Sequence, residues 1–225
     1  MAMRDEIRQQ NRKWKTMTPE EKKKYFLTYY KWHVIIFCVI LIIVGTLIRD
    51  IIRGSREQLL YVMTINNSEQ YMYYGLMDEY AQYAGIDTDE YQLHWDTDNI
   101  LIENDTDYTS IATIQKFASY SEDGMLDALI LPEEDVAYFE KEEYFIVDLK
   151  EFLDDELYAA VEDRLYMYHC TTLDEDICIG FYLDQEDRFY EIGLYGKGES
   201  VVLIPLSNSS RLEYLYLFLK YMGEY

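Results

Sequence analysis

Cysteine, proline, glycine and histidine are all scarce in this chain of 225 residues: three Cys, three Pro, ten Gly and three His. Thiols at positions 38, 170 and 178, with no Cys-x-x-Cys spacing, exclude a disulfide-dense scaffold and a paired-cysteine zinc site. So little Pro and Gly excludes collagen-like and low-complexity chains, and a composition 49% hydrophobic and 28% charged supports a packed core. The hydrolase elbow G-x-S-x-G and the zincin motif H-E-x-x-H are both missing. Gly196-Lys197-Gly198 fails as a phosphate loop, because Glu191 stands where the first glycine belongs and Gly198 where Ser or Thr belongs. Basic residues are few as well, 20 Lys and Arg against 43 Asp and Glu, for a net charge of −23. A nucleic-acid partner is thereby excluded, since phosphates must be met by clustered cations.

The few cations are concentrated at one end. Residues 1–33 hold nine Lys and Arg against four acids, whereas residues 57–225 hold eight against thirty-eight. Between these regions Val34 to Ile48 form fifteen residues without a charge, and Ile51-Ile52 extend the apolar face beyond Arg49 and Asp50. A bilayer-crossing helix needs roughly 17–25 residues, so length alone puts this segment at the short limit. The flanks favour a span: Tyr29, Tyr30 and Trp32 supply an interfacial aromatic belt, and Lys31 and Arg49 are able to snorkel. A cleaved signal peptide is the competing reading. Against it stand a 33-residue basic region upstream and the lack of any Ala from 34 to 80 for an A-x-A site. The expected organisation is a cytoplasmic basic segment (1–33), a transmembrane helix (34–52), a stalk (53–58) and an acidic domain (59–225). The Lys/Arg bias predicts a single-pass protein of a bacterial plasma membrane, N-terminus cytoplasmic and C-terminal domain extracellular, with the lipid bilayer as its first partner. Thr18-Pro19-Glu20-Glu21 predicts a helix start, with Thr18 as N-cap, Pro19 at the first helical position and Glu21 returning the capping bond.

The acidic region reads as alternating strands and helices. Leu59–Ile65 predicts a strand, 69–83 a helix stopped at Gly85, Tyr91–Asp96 a strand, 109–120 a helix closed by Gly124, and 126–131 a third strand. A helix over 133–143, an extended piece over 144–149 and an amphipathic helix over 155–168 follow. The chain then predicts a hairpin from Cys170 to Leu183 around Asp174–Asp176, a strand over Val201–Pro205 and a closing helix over 208–222. Strands separated by helices form crossovers that cover both faces of a sheet, so the fold class is α/β with three layers.

The pieces LLYVMTIN, LDALILPEEDVAYFEKEEYFIVDLKEFL and VVLIPLSNSSRLEYLYLFLKYM, in this order, resemble bacterial extracellular solute-binding proteins of the periplasmic type II fold. The return Tyr144-Phe-Ile-Val-Asp-Leu149 and the final Asn208 to Tyr221 carry most of the likeness. MTPEEKKKYFLTYYKWHVIIF is similar to the anchors of Firmicutes membrane proteins with such ectodomains. The resemblance implies a non-catalytic ligand-binding domain similar to one lobe of such a protein. Complete members close two lobes on a ligand and carry a lipidated N-terminal Cys; about 165 residues suffice for little more than one lobe, and a helix replaces the lipid.

In open α/β sheets ligands lie beyond the carboxyl ends of the strands, which nominates Asn66, Asn67, Trp95, Asp96, Asp98, Glu133 and Glu134 for an unknown small ligand. Acids there favour cationic or polyol ligands. The rival reading is a degenerate lobe that docks an envelope protein, and a third, less favoured, is an acid-dependent hydrolase. No cofactor and no metal is expected. The Asp- and Asn-rich stretch from Asp96 to Asp107 has oxygen ligands, yet the loop starting at Asp105 puts Ser110 and Lys116 where a calcium loop needs Gly and Glu. His94 and His169 are expected to be ordinary strand-end residues. Cys170 and Cys178 are either a disulfide across the hairpin or two buried thiols.

Overall fold

The computed structural model describes residues 17–68, 73, 75–102, 107–139, 148–170 and 174–223. They divide into two compact units, Met1–Ser55 and Arg56–Tyr225.

In the first unit, Thr18 accepts a bond from Glu21 N while the Glu21 carboxylate accepts from Thr18 N at 2.9 Å, so the capping box forms and α1 spans Pro19–Tyr29. Tyr30 keeps a right-handed helical conformation and bonds both ways, Tyr30 N to Phe26 O at 2.8 Å and Val34 N to Tyr30 O at 2.9 Å. α2 then runs over Lys31–Gly54. Its segment Lys31–Ile52, 22 residues, is long and apolar enough to cross a membrane. At 1.5 Å per residue it reaches about 33 Å, against a hydrocarbon core of about 30 Å. The expected stalk over 53–58 shrinks, because α2 continues to Gly54 and β1 begins at Glu57.

The second unit is a six-stranded mixed sheet. Its strands are β1 Glu57–Ile65, β2 Tyr91–Asn99, β3 Ala128–Pro132, β4 Leu165–Cys170, β5 Glu175–Tyr182 and β6 Val201–Pro205, in the order β2-β1-β3-β6-β5-β4. β1 is parallel to β2 and β3, while β6, β5 and β4 add antiparallel. The helices are α3 Leu76–Ala84, α4 Tyr108–Glu122, α5 Leu149–Phe152, α6 Asp155–Val161, α7 Arg188–Glu191 and α8 Leu212–Gly223, with a 3-10 helix over Glu133–Phe139. Gly85 ends α3 in a left-handed conformation, φ 69°, as its composition predicts.

Alternation along the strands builds two cores. Leu60, Val62, Ala128, Ile130 and Leu203 face α3, α5, α6, α7 and α8, whereas Tyr61, Met63, Leu129, Leu131 and Ile204 face α4 and the 3-10 helix. The domain therefore has three layers. Each fully buried Leu, Ile or Val contributes on the order of 1.5–3 kcal/mol, so both faces of the sheet are sources of stability. Gly180 is demanded by this packing: a Cβ there would lie 2.4 Å from Leu203 O on β6.

Several expectations change. The predicted helix over 155–168 stops at Val161, and residues 165–170 pair with β5 as an edge strand. Leu157, Val161, Leu165 and Tyr168 satisfy helical spacing, but Tyr166 and Tyr168 also satisfy a two-residue period, and both pack on the second core. Cross-strand pairing decides between the two periods. The hairpin is accordingly longer than expected and begins before Cys170. Its register sets Cys170 opposite Glu175 and Cys178 opposite Met167, so the two sulfurs do not face each other and both thiols are free. The segment 133–139 is 3-10 rather than α-helical. Its expected continuation to 143, the extended piece over 144–147, the first residues of the helix over 69–83 and the oxygen-rich stretch 103–106 lie outside the described residues. α7 was not expected.

Candidate functional site

β1 is the point where the winding of the sheet reverses. The chain leaves β1 through α3 on one face to reach β2, and leaves β2 through α4 on the other face to reach β3 on the opposite side of β1. Helices diverging to opposite faces open a crevice beyond the carboxyl ends of β1 and β3. A cleft of about 730 Å³ lies there, lined by Asn66, Pro132, Glu133, Glu134, Glu199 and Ser200.

The floor of the cleft is pinned from below. Tyr195, 2% exposed, sets its hydroxyl 2.8 Å from Ile65 O and 3.0 Å from Ile130 O, sharing one proton between the ends of β1 and β3. Asn66 adopts a left-handed conformation, φ 50°, which asparagine tolerates. Its side chain accepts from Leu101 N at 2.8 Å and donates to Leu101 O at 3.0 Å and to Asp135 Oδ2 at 2.8 Å. These bonds make Asn66 a wall of the cleft that joins β1, the loop after β2 and the 3-10 helix. Burial pushes the Asp135 carboxyl above its ordinary value, the Asn66 donation opposes this, and the neighbouring Glu134 charge adds to it.

Glu133 is held at the rim. Its backbone N–H donates to Ser200 O at 2.9 Å, and its carboxylate accepts from the Tyr182 hydroxyl at 2.8 Å. Burial and that carboxylate push the Tyr182 hydroxyl up to about 12, so it remains a donor at neutral pH. Glu134 and Glu199 are exposed, and among the described residues the lining holds three carboxylates and no cation. Such a lining attracts positive charge.

Of the residues nominated from sequence, Asn66, Glu133 and Glu134 come together here. Asn67 accepts from the Thr64 hydroxyl at 3.1 Å and is not part of the lining. Trp95 packs against Phe189 and Phe218 in the first core. Asp98 is exposed on β2, away from the lining. Pro132, Glu199 and Ser200 had no sequence signal, because only the antiparallel insertion of β6 beside β3 brings residues 199–200 to the crevice.

Asp96 serves a different purpose. It accepts from Lys116 Nζ at 2.5 Å, from the Tyr61 hydroxyl at 2.8 Å and from Asn99 Nδ2 at 3.0 Å, and Lys116 also donates to Asn99 Oδ1 at 3.0 Å. Burial alone would raise the Asp96 carboxyl, but the Lys116, Tyr61 and Asn99 contacts outweigh it and hold it below the ordinary carboxylate value. A depressed carboxyl contributes stability that is complete above its ordinary value and is lost as pH falls through the lowered one. Asp127 and Asp135, both raised, act in the opposite sense. The Asp96 contribution is isolated by difference: the gap in denaturant midpoint between the wild-type chain and Asp96→Asn is expected to be widest at neutral pH and to close in acid. A gap independent of pH refutes the ionic account.

His94 and His169 are not part of the cleft lining. The His94 ring lies 4.4 Å from that of Tyr61, tilted by 49°, and His169 Nδ1 lies 2.8 Å from Asp176 Oδ1 on the hairpin. Among the described residues no group of three or more His, Cys, Asp or Glu side chains is placed to hold a metal ion. Comparison with protein-family models, curated proteins and solved structures returns no match for this chain.

Proposed function

We propose that this chain is a single-pass, membrane-tethered binding protein whose acidic domain sits outside a bacterial plasma membrane and captures a small cationic ligand, without catalysis. The observation that carries this reading is the cleft at the reversal point of the sheet, walled by Glu133, Glu134 and Glu199 and closed to anions by their charge. Its volume of about 730 Å³ falls within the range typical of small-molecule sites, ~300–1,000 Å³. A lobe similar to that of a type II solute-binding protein would present a sheet with a crevice at its reversal point, and the β2-β1-β3 order supports that reading. The apolar helix and the basic residues preceding it support the tether and its orientation.

Cationic probes test the reading directly. The full chain in detergent is titrated with spermidine, arginine and lysine, with citrate and glucose as controls, and followed by calorimetry and thermal unfolding. Spermidine at a hundredfold excess over its Kd is expected to stabilise the protein by about 2.7 kcal/mol. Glu133→Gln/Glu134→Gln/Glu199→Gln should remove that stabilisation without lowering the ligand-free Tm. Silence with every cation, or a response unchanged in the triple variant, defeats the proposal.

A further inference from the structure

The basic side of α1 forms a second concavity. Glu20, Lys23, Lys24, Thr28 and Lys31 line a groove of about 370 Å³ beside the junction of α1 and α2. Residues 20, 24, 28 and 31 follow one another at spacings of four, four and three, and so share a helix face. We infer that this groove holds the phosphate headgroup of an anionic phospholipid in the leaflet next to α1, an inference that rests on the membrane-tether reading above.

The argument is one of charge and depth. Among the described residues of the lining, three ammonium groups face a single acid, Glu20, which stands at the end of the groove farthest from the apolar helix. Among the described residues Lys23 and Lys24 enter no ion pair, and the Thr28 hydroxyl is occupied by Lys24 O at 2.8 Å, leaving the ammonium groups as the donors. Lys31 lies at the start of the span, its ammonium 5.6 Å from the Trp32 ring centroid. Lys24 is two turns earlier, about 10 Å along a helix that continues through Tyr30. A headgroup layer is about 5–7 Å deep per leaflet, so Lys31 at the hydrocarbon edge and Lys23 and Lys24 above it bracket the phosphates. Exposed Tyr30 and Trp32 supply the amphipathic rings that settle at this level and fix the helix there. A generic topology signal asks only for positive charge near the span; a groove with three lysines around it adds a place for one lipid to reside.

The full chain is reconstituted in nanodiscs of equimolar phosphatidylcholine and phosphatidylglycerol, and lipids retained on the ejected protein are counted by native mass spectrometry. The retained phosphatidylglycerol-to-phosphatidylcholine ratio is expected to exceed the bulk ratio by about fivefold per engaged lysine. Lys23→Gln/Lys24→Gln/Lys31→Gln should return the ratio to the bulk value, while Arg49→Gln, at the other end of the span, should leave it raised. Equal retention of both lipids by the wild-type chain, or enrichment preserved in the triple variant, overturns the inference while leaving the tether intact. Displacement of the retained lipid by millimolar inorganic phosphate would assign the groove to free phosphate and overturn it too. Failure of the chain to enter nanodiscs at all would instead remove the tether, and the lipid site with it.

Discussion

Replacing Asp127 by Ala is expected to lower the stability of the acidic domain by about 3–5 kcal/mol, the usual consequence of removing one partner of a buried ion pair. Asp127 is fully buried and accepts from Tyr61 N at 2.7 Å, from the Ser209 hydroxyl and from Arg211 Nε at 3.0 Å. Its backbone is equally committed, with Asp127 N donating to Tyr61 O and Asp127 O accepting from Leu206 N, both at 2.9 Å. One residue thus joins β1, β3, the end of β6 and the entry to α8. Burial pushes its carboxyl up, against the pull of Ser209, Arg211 and Tyr61 N, so the ion pair is retained at a cost in desolvation. The truncation leaves the Tyr61 N–H without its carboxylate and the Arg211 guanidinium without its counter-charge. Arg211 still donates to Gly124 O and Met125 O, at 3.0 and 2.6 Å, which caps the loss. With total stabilities commonly 5–15 kcal/mol, the variant should show a much lower denaturant midpoint by circular dichroism. Arg211→Met in the Asp127→Ala background should add less than it costs alone, since the two groups act as one unit. Independent, additive losses would contradict that coupling.

Two carboxylates placed in the apolar helix should have the largest effect of all, on location rather than folding. Ile40 and Ile43 are half exposed in a segment with no residue buried against the rest of the chain. An Asp near the middle of a spanning helix costs about 2.5–3.5 kcal/mol, so Ile40→Asp/Ile43→Asp opposes insertion by about 5–7 kcal/mol. The wild-type chain is expected to resist carbonate extraction from membranes, and the double variant to lose that resistance. In a helix covered by protein the same change would mainly unfold the domain. Comparing the membrane fraction with the circular dichroism spectrum separates the two outcomes. A double variant that stays in the carbonate-resistant pellet would sink the tether.

The cleft was partly legible before any fold was known, and the reason is local. A strand rich in β-branched residues ending in Asn66-Asn67, and another ending at Pro132-Glu133, mark where two parallel strands stop, and ligand crevices lie beyond such ends. Asn66, Glu133 and Glu134 therefore fell at the cleft. The strand expected to stop at Asp96 runs on to Asn99, so Trp95, Asp96 and Asp98 lie within β2, which the reversal between β1 and β3 leaves at the sheet edge. Among so many acids, nothing in the chain distinguishes Asp96, locked to Lys116, or Asp127, locked to Arg211, from the solvated majority. Tyr195 is equally silent: one of 24 tyrosines, it is selected only by the convergence of Ile65 O and Ile130 O on its hydroxyl.

What the amino-acid order determined unaided was whatever depends on neighbours within a turn or two. The Thr18 capping box, the stop at Gly85, an apolar helix long enough to cross a membrane and the division of charge on either side of it all follow from short-range sterics, hydrogen bonding and solvation. Tertiary structure decided the rest. The segment 165–170 carries both a helical and a strand period, and pairing with β5 settles it as strand; the register of that pair keeps Cys170 and Cys178 apart. β6, distant in sequence, slots antiparallel against β3 and delivers Glu199 to Glu133 and Glu134. These outcomes rest on contacts between residues tens of positions apart, whose free energy is realised only when the whole sheet assembles and both of its faces are buried.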